Sequence, residues 1–319
     1  MVSEKEIAVD VVRKAARLCQ QVQSEMVGTD SIEKADRSPV TVADFGSQAL
    51  ICHAIGDAFP KDVIVAEEDS QALQKDASLL ERVVNYVNRF TGTGTHSRQT
   101  VCDWIDRGLG EVSQRFWSLD PIDGTKGFLR GDQYAIALAL IVDGEVKLGV
   151  LGCPNLPQNL DDAQAERGCL FVAVQGQGTQ MLPLNTDISQ RIHVSQTSHR
   201  FAESVESAHS DQDAHLEIAR ELGITEPPIR MDSQVKYGLV ARGDASVYLR
   251  LPNPATPDYR ECIWDHAAGM IVVEEAGGKV TDTKGRELDF LQGRRMTGNR
   301  GIVATNGELH PRVLESIRD

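Results

Sequence analysis

Two short apolar runs constrain the fold of this chain most strongly, because each of them ends abruptly in carboxylates. Residues 63–66 (VIVA) are followed by Glu67, and residues 116–119 (FWSL) are followed by Asp120. A buried strand gives way to charged residues in this manner where it reaches a solvent-filled edge of a sheet. The sequence therefore predicts two strands that deliver acidic side chains to such an edge.

The segment after the second run, DPIDGT at residues 120–125, is the most informative in the chain. Pro121 fixes one backbone torsion angle and Gly124 permits a tight turn, so Asp120 and Asp123 are expected on the same side of a strand-to-helix turn. Such a turn can bind a cation, and amide groups at the start of the following helix can bind phosphate oxygens. Asp-Pro and Asp-Gly are also ordinary turn dipeptides, so this segment alone leaves both interpretations open.

A larger set of acids favours the cation site. Each member follows an apolar segment or opens a predicted helix, where a carboxylate has no packing role; the set is Glu67, Asp120, Asp123 and Asp265. Ligands that are all oxygen favour Mg²⁺ over zinc. The net charge of −14 repels phosphate compounds and nucleic acid polymers at long range, so an enzyme with this charge that acts on phosphates needs metal ions.

Hydrophobic spacing outlines the secondary structure around these acids. Apolar residues from Ile7 to Met26 predict a first helix that ends before Gly28, and a second helix is expected from about Asp44 to a stop before Pro60, with Asp44 at the positive end of its dipole. The remaining predictions are helices at about 78–90, 211–222 with Asp211 as N-cap, and 265–276; strands at 192–194 and 246–251; a loop at 91–97; and hairpins centred on residues 143–144 and 176–178.

The chain of 319 residues is long enough for one compact body with two lobes. The polar stretch near residue 187 predicts an N-terminal lobe of residues 1–187 and a C-terminal lobe of residues 188–319. The six cysteines show neither a CxxC pair nor a zinc spacing, which predicts buried, reduced thiols. No apolar run approaches the length of a membrane span and the first residues, MVSEKE, do not resemble a signal peptide, so we expect a cytoplasmic protein without membrane contact, and a monomer.

Four longer motifs resemble the metal and catalytic signatures of one family, the lithium-sensitive, magnesium-dependent phosphatases that include inositol monophosphatase and fructose-1,6-bisphosphatase. The motifs are SPVTVAD at 38–44, EEDS at 67–70, DPIDGTKGFLRG at 120–131 and WDHAAG at 264–269. Two further segments, GFLRGDQY at 127–134 and DSQVKY at 232–237, are similar to its 3′(2′),5′-bisphosphate nucleotidase branch. The resemblance implies an α/β fold of stacked helix and sheet layers, inhibition by lithium, and hydrolysis of 3′-phosphoadenosine 5′-phosphate to AMP and phosphate, with 3′-phosphoadenosine 5′-phosphosulfate as a further substrate.

The resemblance also implies roles for single residues. Two or three Mg²⁺ ions would be held by the acids of the set and by the carbonyl of Ile122. The sequence alone does not separate Glu67 from Glu68, and the family pattern places Glu67 on the metal with Glu68 behind it. Asp44 and Thr125 would orient and deprotonate the attacking water, although they are equally interpreted as a helix N-cap and a turn hydroxyl.

For the nucleotide, the resemblance points to Ser233, Lys236 and Arg250 around the phosphate that stays on the product, and to His209 beside the adenine. Gly124 and Thr125 would contact the substrate at the start of the following helix. A solvated surface is the competing interpretation for these side chains.

Other functions remain open at this point. An inositol polyphosphate 1-phosphatase or an inositol monophosphatase would use the same metal cage, and a nucleotide or cation sensor would keep the fold without turnover. Glycoside hydrolysis also uses paired carboxylates but has no strict need for magnesium. The sequence contains no Walker A, GxGxxG or HExxH motif, so kinases, dinucleotide enzymes and zinc proteases find no support.

Overall fold

The computed structural model describes residues 3–27, 38–92, 94–198, 200–205, 212–253, 255–256 and 258–317. It begins with two long helices, α1 (Glu4–Val27) and α2 (Ser38–Ala58). Ala8, Val11 and Ala15, which share one face of α1, are buried. The predicted first helix is confirmed. The second was placed too late: α2 starts at Ser38, so Asp44 lies in its second turn and is not the N-cap.

A seven-stranded sheet follows, with its strands ordered along the sheet as in the sequence. Its first two strands pair in parallel and the others pair in antiparallel fashion. The strands are β1 (Val63–Ala66), β2 (Arg115–Asp123), β3 (Ala135–Val142), β4 (Glu145–Pro157), β5 (Arg167–Val174), β6 (Gly178–Pro183) and β7 (Gln190–Ile192). Both predicted hairpins are confirmed, and Asp143 and Gly144 take the positive φ angles, 54° and 83°, that a tight hairpin turn requires.

The two faces of this sheet differ in side-chain size. In β3, Ile136, Leu138 and Leu140 face the layer of α1 and α2, whereas Ala135 and Ala137 face the opposite side. The small residues let a second helical layer approach closely. This layer is formed by α8 (Val235–Arg242) and α9 (Ala267–Glu275).

Shorter helices complete the first half of the chain. They are α3 (Gln71–Gln74), α4 (Ala77–Thr91), α5 (Arg98–Asp106) and α6 (Thr125–Arg130). α4 confirms the helix predicted at residues 78–90, and its N-cap Asp76 accepts bonds from two backbone amides. α5 was not predicted, because its sequence RQTVCDWID contains no strong helix formers on its apolar side.

A five-stranded sheet packs on the other side of α8 and α9. Its strands are β8 (Phe201–Glu203), β9 (Ile229–Arg230), β10 (Val247–Arg250), β11 (Lys279–Thr281) and β12 (Ile302–Thr305). The outer face is covered by α7 (Gln212–Leu222) and α10 (His310–Ser316), which share a separate apolar cluster with β10 and β12. The protein is therefore built of alternating helix and sheet layers, which confirms the α/β layered fold.

The remaining sequence predictions have mixed outcomes. The helices predicted at 211–222 and 265–276 are found as α7 and α9, but α9 starts at Ala267 and Asp265 lies in a preceding 3₁₀ turn, Ile263–Asp265. Asp211 lies outside the described residues. All six cysteines are buried and free. β7 pairs with β6 in the first sheet, and the lobe division after residue 187 stays a prediction. Within the described ranges, no helix has the length and apolarity to cross a bilayer.

Candidate active site

The parallel pairing of β1 and β2 brings two of the predicted acids together. Ala66 is the register partner of Leu119. The next residues along the two strands, Glu67 and Asp120, therefore lie side by side at the same edge of the sheet. The Asp120 side chain is buried, at 2% exposure, while Glu67 is open to the solvent of a cleft. The two apolar runs thus deliver an acidic pair to one edge, as the sequence indicated.

The second pair of acids lies within an irregular strand end. β2 continues through Asp123, and its register with β3 shifts between Asp120 and Asp123. The predicted turn directly after residue 119 was therefore placed too early. The Ser47 hydroxyl donates to the carbonyl oxygen of Pro121 at 3.0 Å, and Gly124 takes a φ of 90°, which glycine adopts without strain. Helix α6 starts at the following residue.

One cleft gathers most of the predicted site residues. Its walls include the four acids of the predicted metal set together with Ile122, Gly124, Thr125, Ser233, Lys236 and Arg250. Residues that the sequence analysis did not assign also line it: Lys126, Gly127, Ser204, Asp232, Gln234 and Tyr248. Ile122 is buried, at 1% exposure, and is one of the residues that line the cleft. His209, predicted beside the adenine, lies outside the described residues.

The acids of the cleft repel one another strongly. Burial, together with the charges of Asp265, Glu68 and Asp123, raises the pKa of Glu67 to about 8, although its side chain still contacts solvent. Burial and the charge of Glu67 raise the pKa of Asp120 well above its usual range. Burial is also the main cause that raises the pKa of Asp265 to about 6. A cation placed among these groups would relieve the repulsion.

The Asp120 carboxylate supplies a direct test of whether a metal ion fits here. Its Oδ1 atom is buried and has no hydrogen-bond partner among the described residues. An unsatisfied buried carboxylate oxygen is costly unless a cation or a donor reaches it. The potential metal ligands around it are the carboxylate oxygens of Glu67, Asp123 and Asp265, and oxygen is the ligand type that Mg²⁺ prefers. The residues present therefore fit a hard divalent cation.

Asp44 and Glu68 lie behind this acid cluster. Asp44 is 6% exposed, and burial followed by the charges of Glu68 and Glu67 raises its pKa well above the ordinary value. The Gln48 side chain holds the backbone of Glu68: its Oε1 accepts from the Glu68 amide at 3.1 Å and its Nε2 donates to the Glu68 carbonyl at 2.6 Å. These contacts fix the main chain just after β1, so that both glutamates keep their places relative to Asp44.

The loop before α8 is tied to the DPIDGT segment. The Gln234 amide donates to Asp123 Oδ2 at 2.6 Å, and the Gln234 side chain bonds the Trp264 carbonyl at 2.9 Å and the Gly269 amide at 3.1 Å. Ser233 takes a φ of 70°, which is strained for a residue with a side chain. The buried Gln234 therefore joins the two segments that carry Asp123 and Asp265.

Lys236 is a buried cation that lines the same cleft. Its side chain is 3% exposed, its Nζ donates to the Met231 carbonyl at 3.2 Å, and it lies 5.1 Å from the centre of the Tyr248 ring. Burial lowers the pKa of Lys236 to about 8, and the nearby charges of Asp123 and Asp232 only partly oppose this. A charged group with so little compensation is prepared to accept an anion.

Arg250 is held by a chain of buried polar groups that sequence analysis missed. Its Nε lies 2.9 Å from Glu261 Oε2, and the same oxygen lies 3.3 Å from His266 Nε2. The Tyr237 hydroxyl is 2.8 Å from His266 Nδ1. Glu261, Asp265 and His266 offer ligand atoms within 4.8 Å of one another, but Glu261 and His266 are already bonded in this chain. The only sequence signal for this chain of polar groups was the histidine next to Asp265 in the WDHAAG motif.

Comparison with known proteins identifies the family and supports the fold. The model of the inositol monophosphatase family matches residues 2–319. A protein of Oryza sativa named 3′(2′),5′-bisphosphate nucleotidase is 46% identical, covering 99% of this chain and 94% of its own, and one of Emericella nidulans with the same name is 42% identical, covering 99% and 97%. A solved inositol monophosphatase from Anabaena has 21% identity and a TM-score of 0.62, covering 98% and 94%, which supports the fold. This chain belongs to the inositol monophosphatase family.

Proposed function

We propose that this protein is a magnesium-dependent phosphatase that hydrolyses 3′-phosphoadenosine 5′-phosphate to AMP and phosphate. The observation that carries the proposal is a cleft lined both by four acids and by the buried cation Lys236. The names of the similar proteins from Oryza sativa and Emericella nidulans support the nucleotide as substrate. The sulfated analogue, 3′-phosphoadenosine 5′-phosphosulfate, presents the same 3′-phosphate and is proposed as a further substrate.

The four acids of the cleft are proposed to hold the metal. The family is metal-dependent, generally with Mg²⁺, and Glu67, Asp120, Asp123, Asp265 and the Ile122 carbonyl would bind two or three ions. When bound, Mg²⁺ acidifies water and stabilises negative charge on phosphoryl and leaving oxygens. Glu68 would act indirectly, by its place behind Glu67.

Asp44 and Thr125 are proposed to act on the attacking water. The Thr125 hydroxyl orients the water and passes its proton to the buried Asp44 carboxylate. As the water oxygen bonds to phosphorus, the bond between phosphorus and the 3′ oxygen breaks, and this oxygen leaves on AMP and takes up a proton. Thr125 is exposed at the cleft, and Asp44 is buried next to the glutamates.

The other predicted site residues that line the cleft are proposed to select the nucleotide. Lys236 and Arg250, with Ser233, would bind the 5′-phosphate that stays on the product, and Gly124 would contact the phosphate that leaves. A Cβ at Gly124 would lie only 2.9 Å from the Ser233 Cβ, so the two loops approach each other at this point. His209 beside the adenine stays a prediction.

The test is phosphate release from matched substrates with and without Mg²⁺. We expect rapid, Mg²⁺-dependent release from 3′-phosphoadenosine 5′-phosphate and much slower release from inositol 1-phosphate and inositol 1,4-bisphosphate. Lys236→Ala should raise KM for the nucleotide by about tenfold or more, because a charged hydrogen bond contributes about 1.5–3 kcal/mol. Equal rates on the nucleotide and the inositol phosphates would contradict the assignment, and absence of turnover would favour a sensor.

Three further proposals concern the whole protein. We propose that the chain is a monomer, that it acts in the cytoplasm, and that residues 1–187 and 188–319 form its two lobes. Sedimentation equilibrium tests the first of these and cell fractionation the second. Limited proteolysis that cuts near residue 187 and leaves two stable fragments would support the third.

A further inference from the structure

Arg294 lies outside every motif of the sequence, on the segment between β11 and β12. Its guanidinium donates a hydrogen bond to the carbonyl oxygen of Ala66 and lies 4.7 Å from the centre of the Trp264 ring. Ala66 is the residue before Glu67, and Trp264 is the residue before Asp265. One side chain therefore touches the immediate neighbours of two acids that belong to distant parts of the chain.

The main chain of the same segment is fixed to the 3₁₀ turn. The Ile263 amide donates to the Arg294 carbonyl at 3.1 Å, and the Met296 amide donates to the Glu261 carbonyl at 2.9 Å. An isolated antiparallel bridge joins Cys262 to Arg295. Arg294 is thus anchored beside Asp265 through its backbone and reaches the end of β1 through its side chain.

We infer that Arg294 is a positioning residue, which sets the distance between the Glu67 and Asp265 carboxylates and so tunes the affinity of the metal site. The inference rests on the proposed metal-binding role of these two acids. Arg294 contacts a carbonyl and an indole ring, and its bond to the carbonyl is charge-assisted and therefore strong. Groups that orient metal ligands from outside typically change metal affinity by about 10–100-fold when they are removed.

Positioning and simple charge predict opposite results here. Glu67 is one of the charges that act on Arg294, so the guanidinium is close enough to the site to repel a cation. If Arg294 acted only as a charge, its removal would strengthen Mg²⁺ binding. If it sets the ligand spacing, its removal weakens Mg²⁺ binding in spite of the lost repulsion.

The experiment measures Mg²⁺ binding directly, without substrate. The dissociation constant is determined by calorimetric titration of the metal-stripped protein with MgCl₂, for wild type and for Arg294→Met. Methionine replaces the aliphatic part of the arginine side chain but has neither the hydrogen-bond donor nor the charge. We expect the variant to bind Mg²⁺ about tenfold more weakly or worse. Arg294→Lys, which keeps a charge and a donor, should recover part of the loss.

Arg295→Met is the matched control. Arg295 also donates to a backbone carbonyl, that of Arg260 at 2.7 Å, and also lies over an aromatic ring, that of Tyr259 at 5.9 Å. Neither neighbour precedes a proposed metal ligand, so the Mg²⁺ affinity of this variant should equal that of wild type. An equal loss in both variants would overturn the inference.

The remaining outcomes separate the inference from the proposed function. Mg²⁺ affinity that is unchanged or higher in Arg294→Met overturns the inference, while a wild-type protein that binds no Mg²⁺ refutes the proposed function itself. Should Arg294→Met fail to fold, Arg294→Leu gives the same comparison, since its side chain also carries neither a charge nor a hydrogen-bond donor. Weaker Mg²⁺ binding by the Leu variant, at a temperature where it is folded, supports the inference, and unchanged binding overturns it.

Discussion

The pH dependence of substrate binding tests the role of Lys236 most sharply. Lys236 is 3% exposed, and burial is the main cause that lowers its pKa from 10.5 to about 8. Asp123 and Asp232 raise this pKa while Arg250 lowers it. A cation bound to Asp123 would cancel part of the favourable charge, so the pKa in the metal-loaded protein should be no higher than about 8.

The expected magnitude follows from proton linkage. Above the pKa of Lys236 in the substrate-free protein, the fraction of Lys236 that is charged falls tenfold for each pH unit. Each unit corresponds to about 1.4 kcal/mol of binding free energy. The phosphates of the substrate are already fully ionised above pH 7.5, because their second pKa is about 6. KM for 3′-phosphoadenosine 5′-phosphate should therefore rise by about tenfold between pH 8 and pH 9.5, while the rise is absent below the pKa.

The assay is initial-rate kinetics at fixed free Mg²⁺ from pH 6.5 to 9.5, with wild type and Lys236→Met. Wild type should show a flat KM below about pH 7.5 and a rising KM above it, whereas the Met variant should show a high KM at every pH. Lys236→Arg, whose side chain stays charged throughout this range, should remove the rise without the high plateau. The reasoning is refuted if KM of wild type does not change with pH, or if the Met variant shows the same rise.

Four other predictions follow from the same structure. Asp120→Asn and Asp123→Asn should each lower turnover by more than about a hundredfold with the fold intact by circular dichroism; near-normal phosphate release at saturating Mg²⁺ would refute the metal assignment. Rising LiCl should inhibit phosphate release where equal KCl does not, because Li⁺ is similar in size to Mg²⁺ with half its charge; equal responses to both salts would contradict this. Gly127→Ala should destabilise the protein by about 1–3 kcal/mol in urea denaturation, since the new Cβ would lie 2.1 Å from the Gln133 carbonyl oxygen. In metal-free protein, unfolding free energy should fall as pH rises from 4.5 towards about 8, because native Glu67 keeps its proton over that window and unfolded Glu67 does not; saturating Mg²⁺ should abolish this slope.

The sequence predicted the acid cluster because its signals are local. Glu67 and Asp120 could be found from the apolar runs that stop at them, and Asp265 from its place at the start of a predicted helix, although β2 itself continues to Asp123. The start of α2 was predicted too late, near Asp44 instead of Ser38, and the start of α9 too early, at Asp265 instead of Ala267. Ser38-Pro39 is a helix-start signal, because proline is favoured in the first helical turn, and it was not used when the helix was placed from the sequence.

Groups that act through tertiary contacts could not be found from spacing. Gln234 bonds to Asp123, Trp264 and Gly269, which lie more than twenty residues away from it in sequence. Arg294 reaches Ala66 across an even longer separation. No periodicity or turn signal records such pairs, so they emerge only when both sheets and the helices between them are placed.

The acid cluster is built from segments that are far apart in the sequence, and this has a consequence for the rates of folding and unfolding. The acid cluster exists only after the end of β1, the bulged end of β2 and the 3₁₀ turn before α9 have met, and contacts between such remote segments form late in folding. A cation that needs all of these segments has no site on the unfolded chain or on an early intermediate. Mg²⁺ should therefore leave the folding rate almost unchanged and slow unfolding, so that the lifetime of the native protein increases by the factor 1 + [Mg²⁺]/Kd.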